Sequence, residues 1–467
     1  MKSIDVTNLT IQEASKLISS QQIKAKELTS AYLDRAKKLN EKLNAFITFS
    51  EGFAFEKAAK VDKLIEDNQP IGPLAGIPIG LKDLYSTKGI RTTAGSKVLE
   101  DYVPSYDATV VTKLKDAGSV IIGKTNQDAW GHGSSGENSD FGPTKNPYDL
   151  ARVPGGSSSG SAAAIAAGMC LAATGTDTGG SIRLPASFCN LVGLKPTYGR
   201  VSRYGIIAMA SSLDCIGHLT KTVYDNALIL NTTAGQDPMD STTPPQKIDD
   251  YTKDIEKGVK NLKVGLPKEY FESLDKEIKK VTLIAAQKLE SLGAKIEEIS
   301  LPHTQYAVAT YYIVVPSEIS SNLARYDGIR FANARDAFGA EAKRRIILGT
   351  YTLSSGYYDA YYLKAMKVRR LIKKDFDEAF EKVDALICPT SPTLPFKLGE
   401  KVDDPLTMYL SDIFTTAISL AGNPSLNVPC GFIGNPLTSS GHGLPVGMQI
   451  VGPHFSEKLL YQVGYAY

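Results

Sequence analysis

Residues Pro154 to Pro185 read PGGSSSGSAAAIAAGMCLAATGTDTGGSIRLP, two Gly-Gly-Ser turns at Gly155–Ser157 and Gly179–Ser181 on either side of an apolar piece. From Gly155 to Gly205 the composition is dominated by Gly, Ser, Thr and Ala. A flexible linker shares that composition, but it would not alternate such turns with compact apolar pieces like Ala162–Ala167 and Leu191–Leu194. The segment is therefore expected inside a folded core. Its apolar run, Ala162 to Ala173, is too short to span a bilayer.

On both sides of this segment, short apolar runs (Pro78–Leu84, Val120–Ile122, Leu386–Cys388) are separated by stretches of helical character. That alternation predicts an α/β fold with one mixed sheet. From Thr10 to Leu43 the apolar residues recur at helical spacing, predicting two surface helices. Pro238 to Asp250 (PMDSTTPPQKIDD) reads as a linker or surface loop. No internal repeat is visible.

The 467 residues, 42% of them hydrophobic and 22% charged, have the composition of a globular protein with a sizeable core. Lys+Arg 52 against Asp+Glu 50 leaves +2, too little basic excess to hold a nucleic-acid backbone unaided. Cys170, Cys189, Cys215, Cys388 and Cys430 form no CxxC pair, which suits reduced, buried thiols and a cytoplasmic protein. The N-terminus lacks the apolar core of a signal peptide, with Asp5 and Glu13 in its place.

Two motif matches fail on physical grounds. Gly118 to Thr125 (GSVIIGKT) fits the GxxxxGK(S/T) phosphate loop, yet Val120, Ile121 and Ile122 put a strand where that loop needs flexible backbone. Gly156 to Gly160 fits the GxSxG nucleophile elbow, yet the residues entering it carry two prolines and two charges where a buried strand is required. None of His132, His218, His303, His442 and His454 has a context that marks a catalytic histidine, and no paired Cys/His spacing suggests a metal.

A serine activated by a lysine remains, and three pieces supply it: GIPIGLKD around Lys82, PGGSSSGS around Ser157, and DTGGSIRLP around Ser181. Backbone N–H groups of Thr178, Gly179, Gly180 and Ser181 can converge on a developing oxyanion, since the two glycines put no Cβ in the way. Lys82 ends an apolar run, where desolvation lowers a lysine pKa and frees the amine to accept a proton. In this order the pieces resemble the amidase-signature family, from about residue 10 to the C-terminus. The resemblance implies one domain over residues 1–467 with a central mixed β-sheet covered by helices on both faces. N-terminal helices fall at about 10–43, a catalytic core at about 70–225, and a substrate-pocket and C-terminal part at about 260–467. It also implies Ser181 as nucleophile, Lys82 as base, and Ser157, after a cis peptide at Gly156, relaying the proton between them.

Three further stretches, SSNLARYDGIR (320–330), KRRIILGT (343–350) and LSSGYYDAYY (353–362), resemble the A-type subunits of the glutamyl-tRNA(Gln)/aspartyl-tRNA(Asn) amidotransferases. By that resemblance the chain hydrolyses glutamine to glutamate without a cofactor of its own. It is then one member of a heterotrimer completed by B-type and C-type subunits. Ammonia passes to the B-type member, where tRNA is held and ATP and Mg are used. Arg345 is expected to take the glutamine α-carboxylate and Asp412 its α-ammonium, with Tyr312 nearby. The chain departs from the family pattern at Ser159, where a glycine is usual and a positive φ would strain a serine, and at His132, which would add a titration near the site. The segment from Arg330 to Arg345 is shorter than usual, and the chain is expected to be incomplete at Tyr467, where a helical pattern is uncapped. A stand-alone amidase acting on another carboxamide and a catalytically silent subunit remain as alternatives.

Overall fold

Eleven short strands hydrogen-bond into one sheet, in a computed structural model that describes residues 5–329, 333–434 and 443–467. In chain order they are β1 (Phe46–Phe49), β2 (Pro78–Lys82), β3 (Val120–Thr125), β4 (Ala172–Asp177), β5 (Val192–Lys195) and β6 (Cys215–Thr220). Then come β7 (Lys263–Pro267), β8 (Lys295–Ile299), β9 (Ala385–Pro389), β10 (Ser425–Ile433) and β11 (Leu444–Val451). Their order across the sheet is β1-β3-β2-β4-β6-β5-β10-β11-β9-β7-β8. Strand β2 runs parallel to β3 and β4, and β7 parallel to β8 and β9, while the remaining neighbours are antiparallel, so the sheet is mixed.

Both faces are covered, because successive residues of a strand point to opposite sides and here both sides are apolar. In β3, Val120 and Ile122 join one core cluster, with Ala162–Ile165 and Ala54, while Ile121 between them joins the other. In β10, Leu426 and Val428 face Gly464 in the helix Glu457–Ala466, whereas Asn427 between them donates to the Leu191 carbonyl on the opposite side. The N-terminal helices fall at Ile11–Ser19 and Ala25–Leu43. Thr10 caps the first through a capping box with Glu13, and Asp225 accepts from the N–H groups of Ile11 and Gln12.

Strands β2 and β4 are parallel neighbours, so their C-terminal ends, Lys82 and Asp177, open at the same edge, where α/β sheets place their sites. Within residues 118–125, Val120–Thr125 form β3 as expected from the apolar run, and Lys124 is buried against the Tyr85 carbonyl and Thr92, 3.7 Å from Asp83. Pro238 to Asp250 is an irregular loop pinned at Asp240, which accepts from Arg203. Ser159 needs no positive φ: it opens the helix Ser159–Ala166, and its hydroxyl reaches Thr144, so the strain expected there does not arise. Arg330 and His442 lie outside the described residues.

The tightest tie between the site edge and the rest of the sheet is a buried ion pair. Arg183 forks onto Asp177 through Nε and Nη2 at 3.0 and 2.9 Å. It also donates to Gln449 of β11 and to Ser419 in the helix Ile413–Ala421. Arg183→Leu strands the Asp177 charge, and the expected cost is about 3–5 kcal/mol. Denaturant titration measures it, and a change below about 1 kcal/mol would contradict this role.

Candidate active site

Lys82 is fully buried at the end of β2, and its Nζ touches only hydroxyls: Ser157 Oγ at 2.8 Å, Thr176 Oγ1 at 2.8 Å and Ser158 Oγ at 3.0 Å. No carboxylate among the described residues pairs with it. Burial lowers its pKa to about 7, against the more distant pull of Asp128, Asp177 and Asp214 toward the charged form. A neutral amine has two N–H donors and one lone pair, so within this cage it can accept a proton from one hydroxyl while donating to the other two.

Ser157 follows a cis peptide bond with Gly156, as the resemblance implied. A side chain at Gly156 would put its Cβ 2.0 Å from the Asp128 carboxylate, so only glycine fits. Asp128 in turn holds the loop that crosses the site: it accepts from the N–H groups of Gly136 and Asn138, and its own N–H donates to the Ser157 carbonyl. Burial pushes the Asp128 carboxyl up to about 7, opposed by those N–H bonds.

Ser181 sits in the turn that leaves β4 and retains 9% of its surface. Its carbonyl accepts from Ser158 N–H at 3.1 Å, which places it beside the Ser157 turn. Among the described residues no hydrogen bond joins the two hydroxyls. The glycines before it are required by close packing: a Cβ on Gly179 would lie 2.6 Å from the Tyr311 ring, and one on Gly180, at φ +150°, 2.4 Å from Thr415 Oγ1. The N–H groups of Gly179, Gly180 and Ser181 meet no acceptor among the described residues, so they remain available to an anion. Thr178 is fixed through its hydroxyl, which donates to Asp214 at 2.7 Å.

A second cluster adjoins this turn. The Gly180 Cβ position is 3.4 Å from Asp412 Oδ1. Asp412 accepts from Ser134 Oγ at 2.5 Å and from Tyr312 OH at 3.4 Å. Arg345, 3% exposed, lies with its guanidinium carbon 5.4 Å from the Tyr312 ring centroid. The structure thus brings Tyr312, Arg345 and Asp412 into one network beside Ser181. Burial pushes Asp412 up to about 7, and an ammonium placed beside it would restore the carboxylate.

One expectation is corrected. His132 is buried, and desolvation with help from Arg345 holds it well below the ordinary histidine range, so it stays neutral and adds no titration near neutrality. Asp128, Thr176, Ser134 and Asp214 join the site without having been expected there. Arg183 stands inside a quoted motif, DTGGSIRLP, and Ser134 two residues after His132, whereas Asp128 and Asp214 carry no local signal.

Residues 27–461 match the amidase family, and the chain belongs to it. Within that family it is 53% identical to the A-type subunit of the glutamyl-tRNA(Gln) amidotransferase of Carboxydothermus hydrogenoformans, over 98% of this chain and 96% of that one. The crystal structure of the corresponding glutamyl-tRNA(Gln) amidotransferase subunit from Thermotoga maritima is 44% identical, with a TM-score of 0.84 over 100% of this chain and 95% of that one. The peptide amidase of Stenotrophomonas maltophilia is 31% identical, with a TM-score of 0.83 over 99% and 97%.

A base must be unprotonated to act. With Lys82 near 7, the competent fraction is full above that pH and falls about tenfold per unit well below it. We expect kcat/KM for a simple amide to show an acidic limb centred near 7, absent from residual activity in Lys82→Ala. A profile flat from about pH 5 to 9 would contradict a lysine base.

Proposed function

We propose that this chain is the glutaminase subunit of a tRNA-dependent amidotransferase, with Ser181 as nucleophile, Ser157 as relay and Lys82 as base. The observation that carries the chemistry is the contact between the buried Lys82 amine and Ser157 Oγ, beside the turn that presents Ser181. In the reaction, Ser181 Oγ attacks the glutamine carboxamide carbon and gives its proton to Ser157, which passes its own to Lys82. The oxyanion is met by the N–H groups of Thr178 to Ser181, a donor of this kind being worth about 3 kcal/mol. The Lys82 ammonium returns the proton through Ser157 to the departing nitrogen, so ammonia leaves and a glutamyl ester stays on Ser181. Water, deprotonated by the same path, then releases glutamate.

Arg345 and Asp412 take the substrate's α-carboxylate and α-ammonium, because burying either charge unpaired is costly. The relatives' name supports delivery of the ammonia to an acylated tRNA in a multi-subunit complex. The B-type member of that complex holds tRNA, ATP and Mg, the C-type member completes the heterotrimer, and the complex is cytoplasmic. No described helix is long and apolar enough to cross a membrane. The stand-alone amidase reading is weaker, since identity falls from 53% to 31% between the amidotransferase relative and the peptide amidase.

Ser181→Ala is expected to lower glutamine turnover at least about 1000-fold with the fold retained, and Lys82→Ala nearly as much. The double variant should lose little more than either single one, because the pair acts as a unit. Glutaminase assays read all three, and additive losses would remove Lys82 from the triad. Arg345→Ala should lower glutamine kcat/KM relative to that for a simple amide by about tenfold or more, through KM. Equal losses on the two substrates would reject it as carboxylate anchor.

A further inference from the structure

Arg345 does not stand free. Four residues before it in the helix Ala340–Thr352, Glu341 Oε1 accepts from Arg345 Nε at 2.8 Å and from Tyr409 OH at 3.1 Å. Its Oε2 pairs with Arg344. The Tyr409 ring stacks on Tyr312 with centroids 3.7 Å apart, and the Arg345 guanidinium carbon lies 5.7 and 5.4 Å from the two centroids. Glu341 therefore closes a chain that runs from Arg345 through Tyr409 and Tyr312 to Asp412.

Guanidinium geometry limits how a further anion can bind. A carboxylate can grip arginine along the Nε/Nη edge or across the two Nη groups. Glu341 takes Nε, and the Nη groups make no hydrogen bond to any described residue. An incoming carboxylate is thus directed to the Nη edge alone. The pair also lines a small cleft together with Gly133, Arg344, Lys401 and Tyr409.

We infer that Glu341, with Tyr409, is a positioning residue for substrate selection: it holds Arg345 by Nε, leaving the Nη edge for the α-carboxylate, on the same aromatic network that reaches Asp412. The inference rests on Arg345 and Asp412 being the anchors of the proposed reaction. Coulomb repulsion between Glu341 and a substrate carboxylate opposes this role. Two guanidiniums on one carboxylate nevertheless leave the group positive, and the fixed geometry outweighs the repulsion.

The two effects predict opposite signs, which makes the test decisive. Steady-state kinetics of the full-length chain on glutamine and on a simple amide lacking the α-carboxylate are compared for Glu341→Gln, Glu341→Ala and Arg345→Ala. Positioning predicts that glutamine KM rises about tenfold or more in Glu341→Ala and less in Glu341→Gln, which keeps an acceptor for Arg345 and Tyr409. In both, kcat/KM for glutamine falls relative to the simple amide. An unchanged or lowered glutamine KM in both Glu341 variants, with Arg345→Ala raising it, overturns the inference alone. Equal losses on both substrates in both Glu341 variants overturn it in favour of a merely structural role. No rise in Arg345→Ala overturns the anchor reading and the inference with it.

Discussion

An amine with no counter-ion in contact among the described residues, enclosed by three hydroxyls at the end of a buried strand, is the constraint around which this site is built. An ammonium kept there would lose several kcal/mol of hydration with no carboxylate in contact to replace it. The neutral form is the cheaper one, and a neutral lysine can act as a base. The hydroxyl cage has a second effect: Ser157, Ser158 and Thr176 come from two separate segments, so holding Lys82 also holds the Ser157 turn against β4.

From that contact outward, the turns are held by close packing as much as by bonds. Asp128 fills the space beside Gly156, Tyr311 the space beside Gly179 and Thr415 the space beside Gly180, so each glycine marks a point where a side chain meets bare backbone. Arg183 anchors the far end of the Ser181 turn by pairing with Asp177 and reaching β11 and the helix Ile413–Ala421. The same helix begins directly after Asp412, so the element that holds the Ser181 turn also fixes the residue proposed for the substrate's ammonium. The N–H groups of Gly179 to Ser181, which meet no acceptor among the described residues, are the complement of this rigidity: on the proposed mechanism they are kept for charge that develops only during the reaction.

Much of this is legible in the sequence, for identifiable reasons. The strands at 78–82, 120–125 and 385–389 carry apolar runs long enough to declare a two-sided burial, and both N-terminal helices show their stripe and, for the first, its capping box. Lys82, Ser157 and Ser181 stand out because each sits in a short motif whose residue types have few other uses. Asp128 and Asp214 do not, because their sequence neighbours give no hint of the loops they hold. Glu341 is hidden differently: an acidic residue four before an arginine reads as an ordinary helix-surface pair. Ser159 and His132 mislead for a related reason: a family pattern marks a departure, but only backbone conformation and burial decide what the departure does.

On the proposed mechanism glutamine is opened by covalent attack from Ser181, with Lys82 and Ser157 managing the proton. That attack is tested most directly by quenching a reaction with glutamine in acid during the first turnovers and mapping the protein by peptide mass spectrometry. A glutamyl ester is expected on the peptide that contains Ser181, absent in Ser181→Ala. An adduct on Ser157, or glutamate release with no adduct on any serine at times shorter than one turnover, would contradict it.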